Sequence, residues 1–359
     1  MSGRHIESAP ILADARKPLT GLTREALREE MRGIGQSAYR ADQIFQWIYA
    51  RGADSFDRMT NIRKDLRAEL ARLYRIDAGG VENVRTASDG TRKFLLRLPD
   101  GAKVESVLIP EPGRLTICVS TQVGCSLNCR FCRTGTMRLE RQLDAWEIVE
   151  QIRAARREVA DRDITNVVFM GMGEPLLNYD ATVAAARILT DDLGMNFSNR
   201  RVTISTAGIV PAIRRLGQDT DVSLAISLHA TDDETRSRLM PINRKYPIGE
   251  LLDACRDYPL SNRRRITYEY TLLDGVNDRD EDARRLIRLM APLKAHVNLI
   301  CFNPWPGSPY AATPEARIRA FQRILLNARI NCVVRRSRGQ DILAACGQLR
   351  SVDAASPQP

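Results

Sequence analysis

From residue 115 onward, short apolar runs typical of buried strands alternate with longer segments of helical periodicity. Candidate strands lie at residues 115–120, 166–170, 202–206, 223–228, 266–272, 297–302 and 332–336. Candidate helices lie between them at residues 145–159, 181–191, 248–257, 280–291 and 314–328. Strand–helix repetition of this kind builds a parallel sheet with right-handed crossovers. The sequence therefore predicts an α/β domain, either an open doubly wound sheet or a barrel.

The carboxyl ends of these strands are polar or rich in glycine. Such runs lie at residues 171–175, 205–208, 227–229 and 303–307. In both α/β architectures, ligand sites lie at the carboxyl ends of the parallel strands. Glycine after one strand is usually only a turn, but several polar ends that converge on one mouth form a site. We therefore expect one functional site at this edge of the sheet.

The segment after the first strand carries three cysteines, Cys125, Cys129 and Cys132, in the pattern Cys-x3-Cys-x2-Cys. A tetrahedral zinc site needs four ligands. No fourth ligand lies nearby, since the histidines of the chain are His5, His229 and His296. Three closely spaced thiolates suit a four-iron cluster with one iron left open for a substrate or cofactor. A reduced zinc knuckle is the alternative.

The charge of the chain favours a polyanionic partner. The formal net charge is +10 at pH 7, and a basic surface attracts nucleic acid. No apolar run is long enough to span a membrane, and the first residues lack the apolar core of a secretory signal. Eight cysteines in such a chain indicate metal binding or catalysis rather than a disulfide scaffold. We therefore predict a cytoplasmic protein without membrane contact.

The front of the chain divides into a basic helical part and a β part. The predicted organisation is a flexible tail at 1–18, a helical RNA-docking domain at 19–78, a β linker at 79–112, the α/β domain at 113–350 and a flexible tail at 351–359. Three segments of the helical part have one apolar face each, and basic residues flank all of them. These charges can be simple solvated faces, but a small basic module beside an enzyme domain is suited to RNA docking.

The cysteine spacing resembles that of the radical S-adenosylmethionine (radical SAM) enzymes, whose open iron binds the amino and carboxylate groups of SAM. The run at 171–175 resembles the motif of those enzymes whose backbone meets the SAM amino group, where glycine permits close approach. The resemblance implies a [4Fe-4S] cluster and SAM as cofactors. The cofactor-binding residues predicted in this way are Gly173, Glu174, Ser205, Ser227, Leu228, His229 and Asn303.

Beyond the superfamily, the chain is similar to the RlmN/Cfr family of radical SAM RNA methyltransferases. The matching stretches lie at residues 104–110, 118–132, 169–178, 201–208, 227–230, 239–243, 302–309 and 338–349. The helical front end also resembles that of the family. The resemblance implies a partial (β/α)6 radical SAM barrel with a small N-terminal helical accessory domain.

Three residues outside the cluster motif match catalytic positions of the family. The resemblance implies that Cys346 becomes S-methylated, that Cys118 is the resolving cysteine and that Glu105 is the acid/base carboxylate. Taken alone, Cys118 is more simply read as a core residue, because buried cysteines are common in strands. The chemistry requires extra thiols because C2 and C8 of adenine are poor nucleophiles, so that direct displacement from SAM does not methylate them.

In the family mechanism, the thiolate of Cys346 first takes a methyl group from one SAM molecule. A radical formed from a second SAM molecule then removes hydrogen from this methyl group, and the resulting methylene radical adds to the adenine. The adduct loses an electron and a ring proton, which Glu105 takes. Cys118 attacks the sulfur of Cys346, which frees the methylated base and leaves a disulfide. The resemblance thus implies two SAM molecules per turnover and an external electron donor for the cluster and the disulfide.

RlmN-like members methylate C2 of an adenosine in the peptidyl-transferase region of 23S rRNA, and many also act on the adenosine 3′ of the tRNA anticodon. The runs at 302–305 and 338–342 favour this C2 specificity over the C8 specificity of Cfr-like members. Two further alternatives are an RNA-binding iron–sulfur protein without methyl transfer and a radical SAM enzyme with a small-molecule substrate. Arg133, directly after Cys132, departs from the family pattern and bears on substrate choice.

Overall fold

The computed structural model describes residues 16–76, 79–159, 163–261 and 264–351. Most of the two predicted tails, residues 1–15 and 352–359, lies outside the described residues. The predicted first tail extends too far at residues 17–18, because this dipeptide pairs in parallel with residues 74–75 at the end of the helical part.

The described chain contains ten α-helices and fourteen strands. The strands are β1 Lys17–Pro18, β2 Tyr74–Arg75, β3 Gly80–Thr86, β4 Arg92–Arg97, β5 Lys103–Glu111, β6 Arg114–Cys118, β7 Gln122–Val123, β8 Arg141–Gln142, β9 Asn166–Phe169, β10 Val202–Thr206, β11 Ser223–Ser227, β12 Ile266–Leu272, β13 Ala295–Cys301 and β14 Cys332–Arg335. The helices are α1 Arg24–Gly33, α2 Ala38–Tyr49, α3 Lys64–Leu73, α4 Ala145–Glu158, α5 Tyr179–Thr190, α6 Val210–Asp219, α7 Asp233–Leu239, α8 Ile248–Arg256, α9 Asp280–Met290 and α10 Glu315–Asn327.

Ten of the strands form one sheet, in the order β14-β13-β12-β11-β10-β9-β6-β5-β4-β3. The pairs from β6 through β9 to β14 are parallel, and those from β3 to β6 are antiparallel. Helices connect each parallel strand to the next, so that six β/α units precede the last strand. Because β14 and β3 are the two edges of the sheet, the barrel is partial.

Side chains from all seven parallel strands line one cavity, so that the sheet curves around a common interior. One residue from each strand illustrates this wall: Thr116, Val168, Thr203, Ala225, Thr267, Asn298 and Val334. Alternate residues of a strand point to opposite faces. The polar members of these strands therefore face the interior, while their apolar neighbours pack against the helices. The curvature confirms a barrel rather than a flat, doubly wound sheet.

The predicted strands and helices of the α/β region are confirmed to within a few residues. Two helices, α6 and α7, were absent from the sequence-based expectation. Helix α7 has only seven residues, and its start depends on Asp232, whose carboxylate accepts a hydrogen bond from Thr235 N at 2.8 Å. Short helices give little periodic signal, and the capping residue is then the main sequence marker.

The helical front part is joined to the barrel by a continuous core. Thr23 caps α1 by accepting a hydrogen bond from Ala26 N. A Cβ atom at Gly21 would lie 2.5 Å from Trp146 N, so that only glycine permits this close approach to α4. The predicted β linker also differs from a simple connection, because β5 pairs with β6 and extends the barrel sheet.

A buried ion pair on α4 reaches across to the helical part. Arg153 Nη1 lies 2.9 Å from Glu150 Oε2, with both side chains almost fully buried, and Arg153 Nη2 donates to the carbonyl oxygen of Ala53 at 2.8 Å. Loss of one partner of a buried pair is costly because the remaining charge is left uncompensated in a poorly solvated place.

We expect Glu150→Gln to lower the free energy of unfolding by about 3 to 5 kcal/mol, because Arg153 then keeps its buried charge without the carboxylate. Denaturant titration followed by circular dichroism measures this loss. The matched control is Asp253→Asn, which removes the exposed pair with Arg256 and should cost less than about 1 kcal/mol. Equal losses in the two variants would contradict the role assigned to the α4 pair.

Candidate active site

Two adjoining cavities lie inside the barrel and at the carboxyl ends of its strands. The first has a volume of about 960 Å³ including its open mouth. The second is larger, about 2070 Å³, and extends through the barrel interior. The two cavities share a wall, which includes Cys132, Met170, Glu269, Asn303 and Cys346.

The loop that carries the cluster cysteines is tightly folded. Gly124 has φ +81°, and a Cβ atom there would lie 2.0 Å from the carbonyl oxygen of Arg138. A Cβ atom at Gly135 would lie 2.6 Å from the carbonyl oxygen of Cys129. Asn128 takes the left-handed conformation, with φ 53°, which asparagine tolerates better than most residues. Close backbone contacts therefore fix the loop on both sides of the cysteines.

The three predicted cluster ligands, Cys125, Cys129 and Cys132, all line the first cavity. Burial raises the pKa of Cys125 to about 12, and it also raises the pKa values of Cys129 and Cys132. Among the described ranges, no three His, Cys, Asp or Glu side chains gather around a single ion position. A four-iron cluster with one open iron takes one thiolate on each of its other three irons, and the three thiols of this loop supply that number.

The glycine-rich loop after β9 is held against the neighbouring strands. Gly173 has φ +97°, and a Cβ atom there would lie 2.5 Å from Cβ of Gln122. Glu174 is buried, and its two carboxylate oxygens accept hydrogen bonds from Leu176 N at 3.0 Å and from Ala207 N at 2.7 Å. Both predicted residues line the first cavity. The Glu174 side chain thereby ties this loop to the end of β10.

The remaining predicted cofactor residues fall into two groups. Ser205, Ser227, His229 and Asn303 line the first cavity together with the cluster cysteines. Leu228 does not: its side chain is fully buried in the hydrophobic core. The alternation of a strand explains this difference, since the side chains that precede and follow Leu228 point to the opposite face.

The tautomer of His229 follows from its hydrogen bond. Its Nδ1 atom accepts a hydrogen bond from Thr271 N at 3.0 Å, so that the proton of the neutral ring is on Nε2. Burial, with a smaller effect of Arg236, lowers the pKa of His229 to about 3. The ring also makes an edge-to-face contact with Phe131, at 4.9 Å between centroids. His229 is thus a neutral side chain fixed in the cavity wall.

Arg236 is a residue that the sequence reasoning missed. Its side chain is fully buried, and its guanidinium donates to the carbonyl oxygens of Ala207, Ser227 and Leu228 and to Oδ1 of Asn243. Burial lowers its pKa to about 10. The guanidinium therefore joins the ends of β10 and β11 at the cavity, although in the sequence it resembles an ordinary surface charge of a short helix.

The second cavity brings Cys118 and Cys346 to the same space. Cys118 is 6% exposed, and burial raises its pKa to about 12. Two charged residues that were not predicted, Glu269 and Arg335, line this cavity with the thiols. The pKa of the Arg335 guanidinium is raised above its usual value, mainly because Cys346 lies nearby. A carboxylate placed inside a predicted buried strand was the sequence signal available for Glu269.

Glu105 lies apart from both cavity walls. Its carboxylate is buried, pairs with Lys93 Nζ at 2.9 Å and accepts a hydrogen bond from Arg350 N at 2.8 Å. Burial raises the pKa of Glu105, and the Lys93 ammonium opposes this shift. Lys93 Nζ also donates to the carbonyl oxygen of Leu343 at 3.2 Å. The Lys93–Glu105 pair thus holds the C-terminal segment that carries Cys346.

Further hydrogen bonds attach this C-terminal segment, residues 339–350, to the barrel mouth. They join Gly339 N to Asp89, Gln340 to Asn303, Asn303 to the Cys346 carbonyl, Arg133 N to the Gly347 carbonyl, Gln348 to the Pro304 carbonyl and Thr134 to the Leu349 carbonyl. Because these anchors lie on both sides of Cys346, the thiol has a defined place at the wall between the cavities.

Comparison with known proteins places the chain in a family. Residues 17–76 match the ribosomal RNA large subunit methyltransferase N-terminal domain, and residues 119–287 match the radical SAM superfamily. A dual-specificity RNA methyltransferase RlmN of Methylobacterium radiotolerans is 50% identical, covering 96% of this chain and 90% of its own length. The chain belongs to the RlmN family. A dual-specificity RNA methyltransferase RlmN of Geobacter sulfurreducens is 51% identical to this chain, and the match covers 94% of each.

The crystal structure of a radical SAM methyltransferase from Sphaerobacter thermophilus has the same fold as this RlmN-family chain. The TM-score is 0.87 at 48% identity, and the match covers 93% of this chain and 99% of that one. The predicted partial barrel with its helical accessory domain, the enzyme class and the cofactors, a [4Fe-4S] cluster and SAM, are thereby confirmed. No helix within the described ranges combines the length and apolar character needed to cross a bilayer.

We expect the protein purified without oxygen to be brown and to contain about four iron and four sulfide per chain, as a four-iron cluster requires. Cys129→Ala should lose this content, because Cys129 lines the cluster cavity. Cys255→Ala is the matched control, since Cys255 is buried in α8 and lies outside both cavity walls. Iron analysis and absorbance spectra measure the result, and stoichiometric zinc without iron would overturn the assignment.

Proposed function

We propose that this RlmN-family chain methylates C2 of an adenosine in the peptidyl-transferase region of 23S rRNA, and C2 of the adenosine 3′ of the anticodon in tRNA. The observation that carries the proposal is the shared cavity of Cys118 and Cys346, which adjoins the cavity of the cluster cysteines. Relatives that are about 50% identical are named as dual-specificity RNA methyltransferases. The N-terminal domain model is named for methylation of large-subunit ribosomal RNA, and both names support RNA as the substrate.

When bound, the cluster and SAM supply a transferable methyl group and a radical that removes hydrogen. The chain contributes the carrier and its release. Cys346 accepts the methyl group as a nucleophile, and its anchored segment holds the resulting thioether at the wall between the two cavities. Cys118 later attacks the sulfur of Cys346, forming a disulfide that an external electron donor reduces. The donor is therefore a second proposed partner, beside RNA.

Glu105 takes the ring proton in this proposal, but its present contacts restrict it. Its carboxylate accepts from Arg350 N and pairs with Lys93, and it does not line either cavity. A proton acceptor has to come within hydrogen-bond distance of the group it deprotonates, directly or through one water. We infer that the contact with Arg350 opens when RNA binds, so that the carboxylate becomes accessible to the base.

The lining of the second cavity is basic. It includes the side chains of Arg114, Arg335, Arg336 and Arg338. The ion pairs of two of them are loose, at 3.8 Å for Arg114 with Glu111 and 4.0 Å for Arg338 with Asp89. Guanidinium groups bind phosphate oxygens in bidentate geometry. Such a lining favours a phosphate-bearing polymer over an uncharged small molecule.

We predict that the two thiols have separable roles. Cys346→Ala should carry no protein-bound methyl group and modify no RNA, because the acceptor is missing. Cys118→Ala should still be methylated at Cys346 and then accumulate a covalent protein–RNA adduct, because nothing breaks the carbon–sulfur bond. Labelled SAM with gel analysis before and after ribonuclease distinguishes the two states. Normal turnover of Cys118→Ala without adduct would remove the resolving role.

Nucleoside mass spectrometry tests the product itself. RNA from a deletion strain should lack 2-methyladenosine in both 23S rRNA and tRNA, and the plasmid-borne chain should restore it. Restoration of 8-methyladenosine would instead assign the C8 alternative. Restoration in rRNA alone would limit the substrate to one of the two RNA classes.

We also predict that the helical part binds RNA through its basic surface. The triple variant Arg63→Glu, Lys64→Glu and Arg67→Glu should weaken RNA binding at least ten-fold and flatten its salt dependence, because fewer counterions are released. The control variant carries the same charge change at three exposed arginines of α9 and α10, Arg284, Arg288 and Arg319. Filter-binding titrations at several salt concentrations measure both, and equal affinities would assign the helical part another purpose.

A further inference from the structure

A buried carboxylate faces the reactive thiols from the opposite side of the barrel interior. Glu269 lies in the middle of β12, is 5% exposed and lines both cavities. Among the described residues, Glu174 lines only the first cavity and Glu111 only the second. Glu269 thus shares the second cavity with Cys118 and Cys346, and it also lies with Cys346 on the wall between the two cavities.

Two neighbours on β13 hold this carboxylate in place. The register pairs Glu269 with Asn298 and Thr267 with His296, so that these side chains share the interior face. Asn298 Nδ2 donates to Glu269 Oε1 at 3.3 Å, and Asn298 Oδ1 lies 3.0 Å from Nε2 of His296. The Asn298 amide therefore holds the Glu269 carboxylate by its Oε1 oxygen. Glu269, Asn298 and His296 thus form a row of polar side chains, which runs from the buried Glu269 to the half-buried His296 near the start of β13.

The surroundings of Cys118 oppose its ionisation. Burial and the nearby Cys346 raise the pKa of Cys118, Glu269 raises it further, and Arg335 on β14 lowers it. The balance leaves a pKa of about 12, so that Cys118 is a protonated thiol at neutral pH. A thiol has to lose its proton to attack another sulfur, because the thiolate is the nucleophile. The attack therefore requires a proton acceptor near Cys118 in the second cavity.

We propose that Glu269 accepts the proton of Cys118 through an intervening water as that thiol attacks Cys346, and that Asn298 and His296 are positioning residues for the carboxylate. The inference rests on the proposed function. In this step the sulfur–sulfur bond forms and the bond from Cys346 sulfur to the substrate carbon breaks. The electron pair of the broken bond goes to the substrate carbon, which takes a proton from water and becomes the methyl group, and the proton of Cys118 moves to Glu269. The proton then passes from Glu269 to water at the end of the cavity where His296 lies.

The attack can be measured without RNA or SAM. One equivalent of methyl methanethiosulfonate is added without oxygen to the cluster-loaded enzyme in a Cys301→Ala background, because Cys301 is the other half-buried thiol outside the cluster motif. The reagent then places a methylthio group on the half-buried Cys346. Cys118 then displaces methanethiolate and closes the disulfide. Intact-mass and peptide-mass analysis follows the loss of the methylthio group. Cys118→Ala should retain that group, which shows that the loss reports Cys118.

We expect Glu269→Gln to slow this loss at least ten-fold at pH 7.5. The wild-type rate should change little between pH 7 and 9. The rate of the variant should rise about ten-fold per pH unit, because it then depends on the thiolate fraction of Cys118. Glu111→Gln, which alters a carboxylate on the same cavity wall, should behave as wild type. Asn298→Ala and His296→Gln should slow the loss about three-fold and retain the flat profile, since both keep the acceptor.

A wild-type rate and pH profile in Glu269→Gln would overturn the proposal, as would equal slowing in Glu269→Gln and Glu111→Gln. If Glu269→Gln does not retain its cluster, the two positioning variants decide: unchanged rates in both would overturn the role of the row. The assay contains no RNA, so that its failure leaves the proposed function intact. Failure of that function would appear instead as unchanged 2-methyladenosine in the deletion strain.

Discussion

The arrangement of the active site depends on one buried guanidinium. Arg236 is enclosed at the carboxyl edge of the sheet, where it donates to backbone carbonyl oxygens that follow two neighbouring strands. Buried carbonyl groups at strand ends lack ladder partners and need other donors. A planar group with several N–H donors can supply them at once. The side chain therefore fixes the loops that present Ser227 and His229 to the first cavity.

The C-terminal segment depends on a second buried charge, and this arrangement gives the Lys93–Glu105 pair two tasks. Lys93 binds the Leu343 carbonyl, and Glu105 binds the Arg350 amide, so that the pair holds the segment on both sides of Cys346. Breaking one partner of a buried pair is costly. A substitution at Glu105 therefore alters the position of the carrier thiol as well as any proton transfer. Kinetic effects at this residue combine both contributions.

Much of the fold was readable from local patterns, and the site only in part. Parallel strands buried on both faces are continuous apolar runs with polar ends, so that their positions follow from the sequence. The cluster motif lies in one short loop, for which spacing is sufficient. Arg236, Glu269 and Arg335 each lie at an unremarkable position in a helix or strand. Their importance comes from which elements curve together, and a single sequence contains no direct record of that.

The same limit explains two further differences between the prediction and the structure. Leu228 does not reach the cavity, and the strands predicted as a linker belong to the barrel sheet. Leu228 lies between Ser227 and His229, but its side chain belongs to the opposite face of the strand. Strands β3 to β5 have the same local pattern whether they stand alone or extend a larger sheet. Only the pairing of β5 with β6 distinguishes these cases, and pairing is a long-range property.

The free edge at β14 has a consequence for how the barrel is completed. A sheet closed on itself needs no further cover, whereas this sheet ends at β14 on one side of the interior. The C-terminal segment that follows β14 reaches back to β4 and the turn before it, where Gly339 N donates to Asp89 and Lys93 binds the Leu343 carbonyl. The chain that bridges from β14 to β4 is therefore the chain that carries Cys346, so that any movement of this segment would displace the carrier thiol and open the side of the barrel together.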